Sequence, residues 1–340
     1  MVVSITFKLE TPFKMHQRTF SAALLKLDCE KEMARIETVM RETVLRQFRK
    51  KGVVLGMSGG VDSSVVAAMA VRILGKERVF GLLMPERDSA GDTLSLSKLM
   101  AEHLGIEYAT EDISPILEVV GCYRRRDEAI RRVIPEYAEG DKNKIALPAL
   151  GDKQSYRLFK VVVQHKDGRL AEANLDLKSY LGIVAATNFK QRTRKMLEYY
   201  YADSMNFAVA GTPNRLEYDQ GFFVKLGDGT ADIKPIAHLY KTQVYQMAEF
   251  LKLPEIIRSR PPTTDTYSLP QSQEEFYFSL PYDKMDQVLY GKNNGYSAAE
   301  IGQGMGLSAE QVERVLADIE GKRKVANYLH AAPAVVEDIR

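Results

Sequence analysis

The chain has 340 residues, 45% of them hydrophobic, which is enough to bury a large core in one domain or two. With 47 basic and 45 acidic residues the formal net charge is +2, so charge gives no indication of a nucleic-acid or membrane partner. Two cysteines, Cys29 and Cys122, exclude a disulfide framework and a cysteine-rich zinc site. The first ten residues show no export signal and no apolar run is long enough to span a membrane, so we expect a cytoplasmic protein.

Strands and helices are predicted to alternate along much of the chain. A helix is expected over residues 30–51, where apolar side chains recur at helical spacing: Met33, Ile36, Val39, Met40, Val44, Leu45 and Phe48. Apolar strands are expected over residues 52–55, 79–84, 106–110 and 207–211. Helices are expected between them, over residues 63–74, 93–104 and 192–203. This order predicts an α/β fold with a doubly wound parallel sheet, in a single domain over residues 1–340.

Residues 120–186 break this rhythm and are predicted to be an insertion on the core. They begin with a basic, helix-like run over residues 123–137, followed by a loop-rich stretch over residues 140–156. A hairpin is then expected, with strands over residues 156–164 and 169–173 around Lys166-Asp167-Gly168. The arginines of the basic run could contact phosphates. A solvated helix face is the more common explanation of such a run, and we favour it.

Residues 270–340 are predicted to form a helical carboxyl-terminal segment. Two capping boxes stand within it, Ser297 with Glu300 and Ser308 with Gln311. The spacing also suits a DNA-binding helix-turn-helix. The second helix is acidic, however, and would repel phosphates. A structural helical hairpin is therefore favoured.

The most informative segment is VVLGMSGGVDSS, residues 53–64. Gly59 and Gly60 allow a sharp turn and a close approach to a ligand between a strand and a helix. The N–H groups of such a loop and of the helix N-terminus favour an anion. Asp62 would repel a bare phosphate, so its natural partner is Mg²⁺ bridging to phosphate oxygens. A pyrophosphate site is therefore predicted at Gly56, Met57, Ser58, Gly59, Gly60, Val61, Asp62 and Ser63.

The loop at residues 58–63, SGGVDS, resembles that of the N-type ATP pyrophosphatases, and it lacks the Lys-Ser/Thr pair of a Walker loop. Further segments resemble ammonia-dependent NAD synthetases: NFKQRTRKM at 188–196, GTPNRLE at 211–217, GFFVKLGDGTADIKPI at 221–236, LYKTQV at 239–244 and PPTTD at 261–265. The resemblance implies a Rossmann-like fold. It also implies ATP- and Mg²⁺-dependent amidation of deamido-NAD by ammonia, through an acyl adenylate, with release of AMP and pyrophosphate.

Residue roles follow from the same resemblance. Asp62 and Glu217 are expected to bind Mg²⁺, and Lys241 to neutralise ATP phosphates; these three are the predicted catalytic residues. Thr212 and Thr263 match positions that contact the nucleotide. The positions predicted to hold deamido-NAD are Arg192, Lys225, Asp232 and Lys322. The family further implies a homodimer with the dinucleotide site across the interface, near the helices around Arg192 and residues 199–201.

Three departures from the family pattern bear on the substrate. The insertion replaces a short connection, and Gly321-Lys322-Arg323 stands where the family has His-Lys-Arg. VANYLH at 325–330 replaces the proline-rich tail that usually follows. The main alternative is therefore a paralogue that amidates a different carboxylate. A non-catalytic nucleotide- or DNA-binding protein is the third hypothesis.

The sequence also bears on the nitrogen source. A fused glutaminase needs a cysteine nucleophile in its own domain, and Cys29 and Cys122 are predicted to be structural. Ammonia is then expected to come free or from a separate glutaminase.

Overall fold

A parallel sheet of four strands lies at the centre of the structure. The structure is a computed structural model that describes residues 19–146, 159–262, 266–272, 277–278 and 280–337. The strands are β1 (Val53–Gly56), β2 (Val79–Leu83), β3 (Glu107–Thr110) and β7 (Ala208–Val209). Their order in the sheet is β3-β2-β1-β7 and every pairing is parallel. The last strand is shorter than predicted, and Ala210 continues it by a single parallel bridge to Ile233.

Helices cover both faces of this sheet. The first eight are α1 (Cys29–Arg41), α2 (Val61–Leu74), α3 (Thr93–Leu104), α4 (Ser114–Val119), α5 (Cys122–Arg131), α6 (Leu177–Met205), α7 (Arg215–Gln220) and α8 (Lys241–Phe250). Val53 and Leu55 of β1 pack in one cluster with residues of α1, α2, α3 and α8. Val54, pointing the other way, packs in a second cluster with residues of β2 and α6. The doubly wound α/β prediction is confirmed.

The sheet order reverses direction at β1. From β1 the chain proceeds outward through β2 to β3, and it later returns to place β7 on the other side of β1. Open α/β sheets bind their ligands in the crevice at such a reversal, beyond the carboxyl ends of the strands. Residues 56–63 after β1 and residues 210–217 after β7 flank this crevice.

The amino-terminal helix is shorter than predicted. Helix α1 passes into a π-helical turn, Glu42–Gln47, so the helical run ends before residue 51. Met33, Ile36, Met40 and Val44 are buried as expected, but Val39 and Phe48 are exposed. The apolar stripe is narrower than predicted because only one face of the helix packs on the core.

The segment predicted to be an insertion, residues 120–186, contains a second sheet, antiparallel, in the order β4-β5-β6. Its strands are β4 (Lys142–Ala146), β5 (Lys160–Gln164) and β6 (Leu170–Asn174). The hairpin of β5 and β6 confirms the prediction, whereas assigning residues 142–146 to a loop was wrong. Strand β4 buries only Asn143 and Ile145, and lysines flank Asn143. Because one of the two buried residues is polar, the sequence shows no apolar alternation there. Residues 147–158, including the predicted start of the hairpin, lie outside the described residues.

Helix α6 begins fifteen residues earlier than the predicted start at residue 192, inside the insertion. Its N-cap, Asp176, accepts a hydrogen bond of 2.6 Å from the Ser179 N–H. The helix packs on α5 along one part and on β1 and β7 along another. Buried side chains consequently occur on several of its sides, and no single apolar stripe marks its start.

The carboxyl-terminal segment is helical as predicted. Beyond α9 (Glu255–Arg258) lie α10 (Tyr282–Asn293), α11 (Ala298–Met305) and α12 (Ala309–His330). Both predicted capping boxes form, at Ser297 and at Ser308, and α11 packs against α12 as a hairpin. In the described part of the chain no helix is both long and apolar enough to cross a membrane.

Candidate active site

A cavity of about 1120 Å³ lies where the sheet order reverses. Residues that follow β1, β2 and β7 line it, among them Met57, Met84 and Thr212. Side chains of α6, α7, α8 and α12 complete its walls, together with residues of the insertion. The cavity therefore occupies the crevice in which an open α/β sheet binds ligands.

The phosphate loop is held in shape by its own serines. The Ser58 N–H donates to Ser63 Oγ at 3.3 Å, and Ser63 Oγ donates to the Gly60 carbonyl at 3.2 Å. Gly60 is the N-cap of α2 and has no side chain to cap the helix. A ligand oxygen suits the first N–H groups of such a helix, where the dipole favours an anion. The loop is thus preformed for phosphate.

Gly59 has a backbone that only glycine adopts easily. Its φ is +68°, and a Cβ there would lie 2.7 Å from Leu96 Cβ on α3. Ser97 of the same helix donates its hydroxyl to the Met57 carbonyl at 3.0 Å. The loop is therefore pressed against α3, and Gly59 forms the packed side of the loop while its neighbours line the cavity.

Three charged side chains from three helices meet beside the loop. Asp62 of α2 forms an ion pair through Oδ2 with Lys241 Nζ of α8. Asn214, the N-cap of α7, donates through Nδ2 to Asp62 Oδ1 at 3.0 Å. The same asparagine forms a capping box with Glu217: its Oδ1 accepts from the Glu217 N–H at 3.2 Å, and its N–H donates to Glu217 Oε2 at 3.1 Å. Asn214 thereby positions both carboxylates.

The electrostatics of this group show how close the charges are. Burial, followed by the charge of Asp62, raises the pKa of Glu217 to about 8. Burial by itself would lower the pKa of the Lys241 ammonium, but Asp62 and Glu217 raise it overall. Two carboxylates beside one ammonium leave an excess of one negative charge when all three are ionised. An added cation would relieve the repulsion between the carboxylates.

The donor set fits Mg²⁺ better than a transition metal. Mg²⁺ commonly binds one or two carboxylates together with substrate phosphates and waters. Among the described residues no three His, Cys, Asp or Glu side chains gather as a metal cage would require. Asp62 and Glu217 alone would therefore hold only a metal that shares its coordination with a ligand, such as a nucleotide phosphate.

The cavity brings together most of the predicted site residues but leaves others outside. Those that line it are Gly56, Met57, Ser58, Gly60, Val61, Asp62, Ser63, Thr212, Glu217, Lys241 and Lys322. Lys322 Nζ is held by the Asp318 carboxylate at 2.7 Å and the Tyr277 carbonyl at 2.5 Å. Thr263 lies outside the described residues.

The other three residues predicted to bind deamido-NAD are outside the cavity lining: Arg192 and Asp232 are exposed, and Lys225 is half-buried. Arg192 Nε donates to the Lys225 carbonyl at 3.3 Å, so these two residues are neighbours. Lys225 Nζ donates in turn to the Tyr328 carbonyl near the end of α12 at 2.8 Å. Asp232 accepts hydrogen bonds from the Val209 N–H at 2.7 Å and the Tyr199 hydroxyl at 3.2 Å. In this conformation, then, Lys225 and Asp232 are both engaged with the protein itself.

Several residues in or beside the cavity were missed by sequence reasoning. Asn214 had a detectable signal, because Asn-x-x-Glu before a helix is a capping-box pattern. Glu198 and Asp228 also line the cavity, and burial raises the pKa of Asp228. Neither carboxylate stands out in the sequence, since only the packing of α6 and of residues 221–230 brings them to the site.

The cysteines take no part in the site. Cys122 is buried and donates from Sγ to the Ala186 carbonyl at 3.2 Å, and burial raises the pKa of its thiol to about 11. Burial also raises the pKa of Cys29 at the start of α1. A nucleophilic thiol needs a lowered pKa, so both observations support the structural role predicted for them.

Comparisons with known proteins give one consistent result. The sequence model of a family described as NAD synthase matches residues 32–141 and 149–326. The NH(3)-dependent NAD(+) synthetase of Rhizobium meliloti (strain 1021) is 56% identical over 320 residues, covering 94% of this chain and 96% of the relative. The enzyme of that name from Thermotoga maritima is 38% identical over 246 residues, covering 72% of this chain and 81% of the relative.

Solved structures share the fold at low sequence identity. The NMN synthetase from Francisella tularensis superposes with a TM-score of 0.63 at 21% identity, covering 91% of this chain and 99% of that one. The NH3-dependent NAD synthetase from Campylobacter jejuni, solved with a nitrate ion, gives a TM-score of 0.60 at 22% identity, covering 92% and 100%. These likenesses establish the fold alone.

Proposed function

The chain belongs to the NAD synthase family, and on that premise we propose that its cavity makes NAD from deamido-NAD, ammonia and ATP. The protein is an amide-forming ligase. The observation that carries the proposal is the meeting of Asp62, Glu217 and Lys241 beside a preformed phosphate loop. The relative that is 56% identical along nearly the whole chain favours deamido-NAD over another carboxylate as the acid.

The first step is adenylation of the substrate carboxylate. A carboxylate oxygen of deamido-NAD attacks the α-phosphorus of ATP, and pyrophosphate leaves. The loop N–H groups and the N-terminus of α2 hold the leaving phosphates, and Lys241 neutralises their charge. Asp62 and Glu217 would hold Mg²⁺, which supplies positive charge to the departing pyrophosphate. Asn214 keeps both carboxylates in place, because its Nδ2 donates to Asp62 Oδ1 and its backbone N–H donates to Glu217 Oε2.

The second step is attack of ammonia on the acyl carbon of the adenylate, with release of AMP. The nitrogen must lose a proton as the amide forms, so the site needs an acceptor. Asp228 lines the cavity, and its Oδ1 accepts from the Val224 N–H at 2.8 Å. We propose that the Asp228 carboxylate accepts this proton. Asp228→Asn should then lower NAD formation while ATP–pyrophosphate exchange without ammonia continues; loss of both activities would contradict the assignment.

The function is tested by mixing the protein with deamido-NAD, ATP, Mg²⁺ and ammonium. NAD, AMP and pyrophosphate should appear in equal amounts. Other nicotinate-containing acids, offered in place of deamido-NAD, test the alternative of a different acceptor. If another acid drove pyrophosphate release and deamido-NAD did not, the paralogue hypothesis would replace this one.

The positions of exposed Arg192 and Asp232 and of half-buried Lys225 support a second-substrate site that a second copy of the chain completes. Arg192 and Lys225 provide cations for a pyrophosphate, and Asp232 provides an acceptor for ribose hydroxyls. Large exposed apolar side chains surround them: Met196 and Tyr200 on α6, Leu226, and Tyr328 on α12. Such a surface is typical of a protein interface. We propose a homodimer through this face.

The nitrogen source is ammonia, either free or supplied by a separate glutaminase. With glutamine alone the purified protein should form no NAD. Adding a glutaminase should restore the reaction at a rate set by the ammonia produced. NAD formation from glutamine by the protein alone would contradict this part of the proposal.

A further inference from the structure

The insertion and the active site share one helix. A single face of α6 lines the cavity along most of its length, through Tyr180, Val184, Thr187, Asn188, Gln191, Arg194 and Glu198. At 1.5 Å per residue, Tyr180 and Glu198 are about 27 Å apart along the helix. Glu198 of α6 lies beside Gly56, the last residue of β1: a Cβ on Gly56 would be 2.9 Å from Glu198 Oε1. The cavity therefore extends from the phosphate loop into the insertion.

An aromatic pair forms the wall at the insertion end. Phe159 stacks on Tyr180 with ring centroids 4.3 Å apart and an interplanar angle of 16°. Both side chains line the cavity and both are only half-buried. The Phe159 carbonyl accepts a hydrogen bond of 2.8 Å from the Leu175 N–H, which fixes the backbone at this point. The pair thus presents aromatic surface to the cavity.

Buried ion pairs hold the insertion against the core. Arg126 of α5 contacts Asp88 Oδ2 at 2.5 Å, and the Tyr123 hydroxyl donates to Glu86 Oε2 at 2.8 Å. Lys190 of α6 donates at 2.8 Å to both of these carboxylates, Glu86 Oε1 and Asp88 Oδ2, and to the Thr266 carbonyl. The side chains of these charged residues are almost completely buried. These contacts fix α5 and α6 relative to the loop after β2, which carries Glu86 and Asp88. The aromatic wall is therefore held in place before a ligand binds.

The chemistry of the two ends points to one kind of ligand. Phosphates fit the loop end, whereas the insertion end has uncharged side chains: Phe159, Tyr180, Val184 and Thr187. A ligand that carries phosphates and, through a sugar, a flat heterocycle would suit both ends. Aromatic side chains stack on such heterocycles whatever the identity of the base. At about 1120 Å³ the cavity is larger than the 300–1,000 Å³ or so usual for a single small ligand. It has room for two substrates.

We propose that the insertion builds a ring-binding subsite, in which Phe159 and Tyr180 stack on the heteroaromatic ring of a nucleotide substrate. This inference rests on the proposed function, because ATP and deamido-NAD both carry such rings. The subsite contributes binding energy far from the reacting carboxylate. It therefore acts on substrate affinity and selectivity.

Leucine substitutions test the subsite, since they keep apolar volume and remove the ring. Phe159→Leu and Tyr180→Leu should each raise the KM of one substrate by about tenfold, with kcat changed less than about twofold, because the lost contact stabilises bound substrate and transition state equally. Tyr180→Phe returns a ring and should recover most of the loss. A higher KM for ATP assigns the subsite to adenine, and a higher KM for deamido-NAD assigns it to a ring of the dinucleotide.

The matched control is Leu181→Ala, an exposed residue on the same helix. It should leave both KM values unchanged. Saturation transfer by NMR, from the aromatic protons of the wild-type protein to each substrate, tests the contact without any substitution. Folded leucine variants with unchanged KM values, or no transfer to either substrate, would overturn the subsite. A wild-type protein that makes no NAD would instead overturn the proposed function.

Discussion

Single residues set the charge of this site. Asp62, Glu217 and Lys241 come from three helices and meet beside the loop that ends β1. The serine and glycine positions of that loop could be predicted from sequence because they are contiguous. Asn214, which lies 152 residues from its partner Asp62, could not be assigned its bridging role, because only tertiary packing brings the two together.

Removing either of the two carboxylates proposed to bind Mg²⁺ should stop adenylation without unfolding the protein. Asp62→Asn and Glu217→Gln should each lower deamido-NAD-dependent pyrophosphate release by about two orders of magnitude or more, because charge on the leaving group is no longer balanced. The double variant should lose little more, since both groups act through one metal. Release at the wild-type rate in Asp62→Asn would mean that the loop is only a structural turn.

Asp219 provides the matched control for these carboxylates. It lies two residues after Glu217, outside the residues that line the cavity, and pairs with Arg215 at 3.2 Å and with Arg323 at 2.5 Å. Asp219→Asn should therefore lower the melting temperature while turnover of the folded fraction persists. A selective loss of turnover in this variant would place Asp219 in the chemistry.

Helices and strands position these residues, and the start of helix α6 is one that the sequence pattern does not reveal. Its start could not be predicted because it is buried on several sides and lacks one apolar stripe. Helices α3 and α12, by contrast, begin where the pattern indicates, at Thr93 and just after Ser308. Solvent on one side of a helix is what makes its period visible.

The turn between β1 and α2 should be sensitive to a single methyl group. Gly59→Ala places a Cβ 2.7 Å from Leu96 Cβ at a φ of +68°. We expect it to destabilise the fold by more than the roughly 1 kcal/mol of a strained φ, and to weaken ATP binding. Thermal unfolding and ATP titration measure the two effects.

Gly168 is the matched control for Gly59. It has a φ of +84° in the β5–β6 turn, and a Cβ there meets nothing within 4 Å. Gly168→Ala should show the φ penalty of about 1 kcal/mol with ATP affinity unchanged. Equal loss of ATP affinity in both variants would show that the packing of Gly59 on α3 is unimportant.

The ion pairs between the insertion and the core should be a major source of local stability. Lys190→Met leaves Glu86 and Asp88 without their shared lysine in a buried setting. Breaking such a pair typically costs about 3–5 kcal/mol. Urea unfolding of this variant, compared with Lys178→Met at an exposed position of α6, gives the difference. Equal stability of the two variants would contradict a stabilising role of these ion pairs.

The whole molecule is expected to act as a dimer. Sedimentation at micromolar concentration should give twice the 38.3 kDa of the chain. Met196→Asp combined with Leu226→Asp places charges on the exposed apolar face and should yield monomers. These monomers should show a raised KM for deamido-NAD and little change for ATP. A wild-type monomer with full activity would rule out a shared substrate site.

The central claim is that the carboxylate of deamido-NAD is activated as an acyl adenylate in the Asp62–Glu217 cavity. Deamido-NAD labelled with oxygen-18 in its carboxylate tests this directly, because the oxygen that bridges to phosphorus stays with it when ammonia attacks. We predict that one labelled oxygen appears in AMP for each NAD formed, and none in pyrophosphate. Unlabelled AMP, or label in a phosphate released with ADP, would contradict the account.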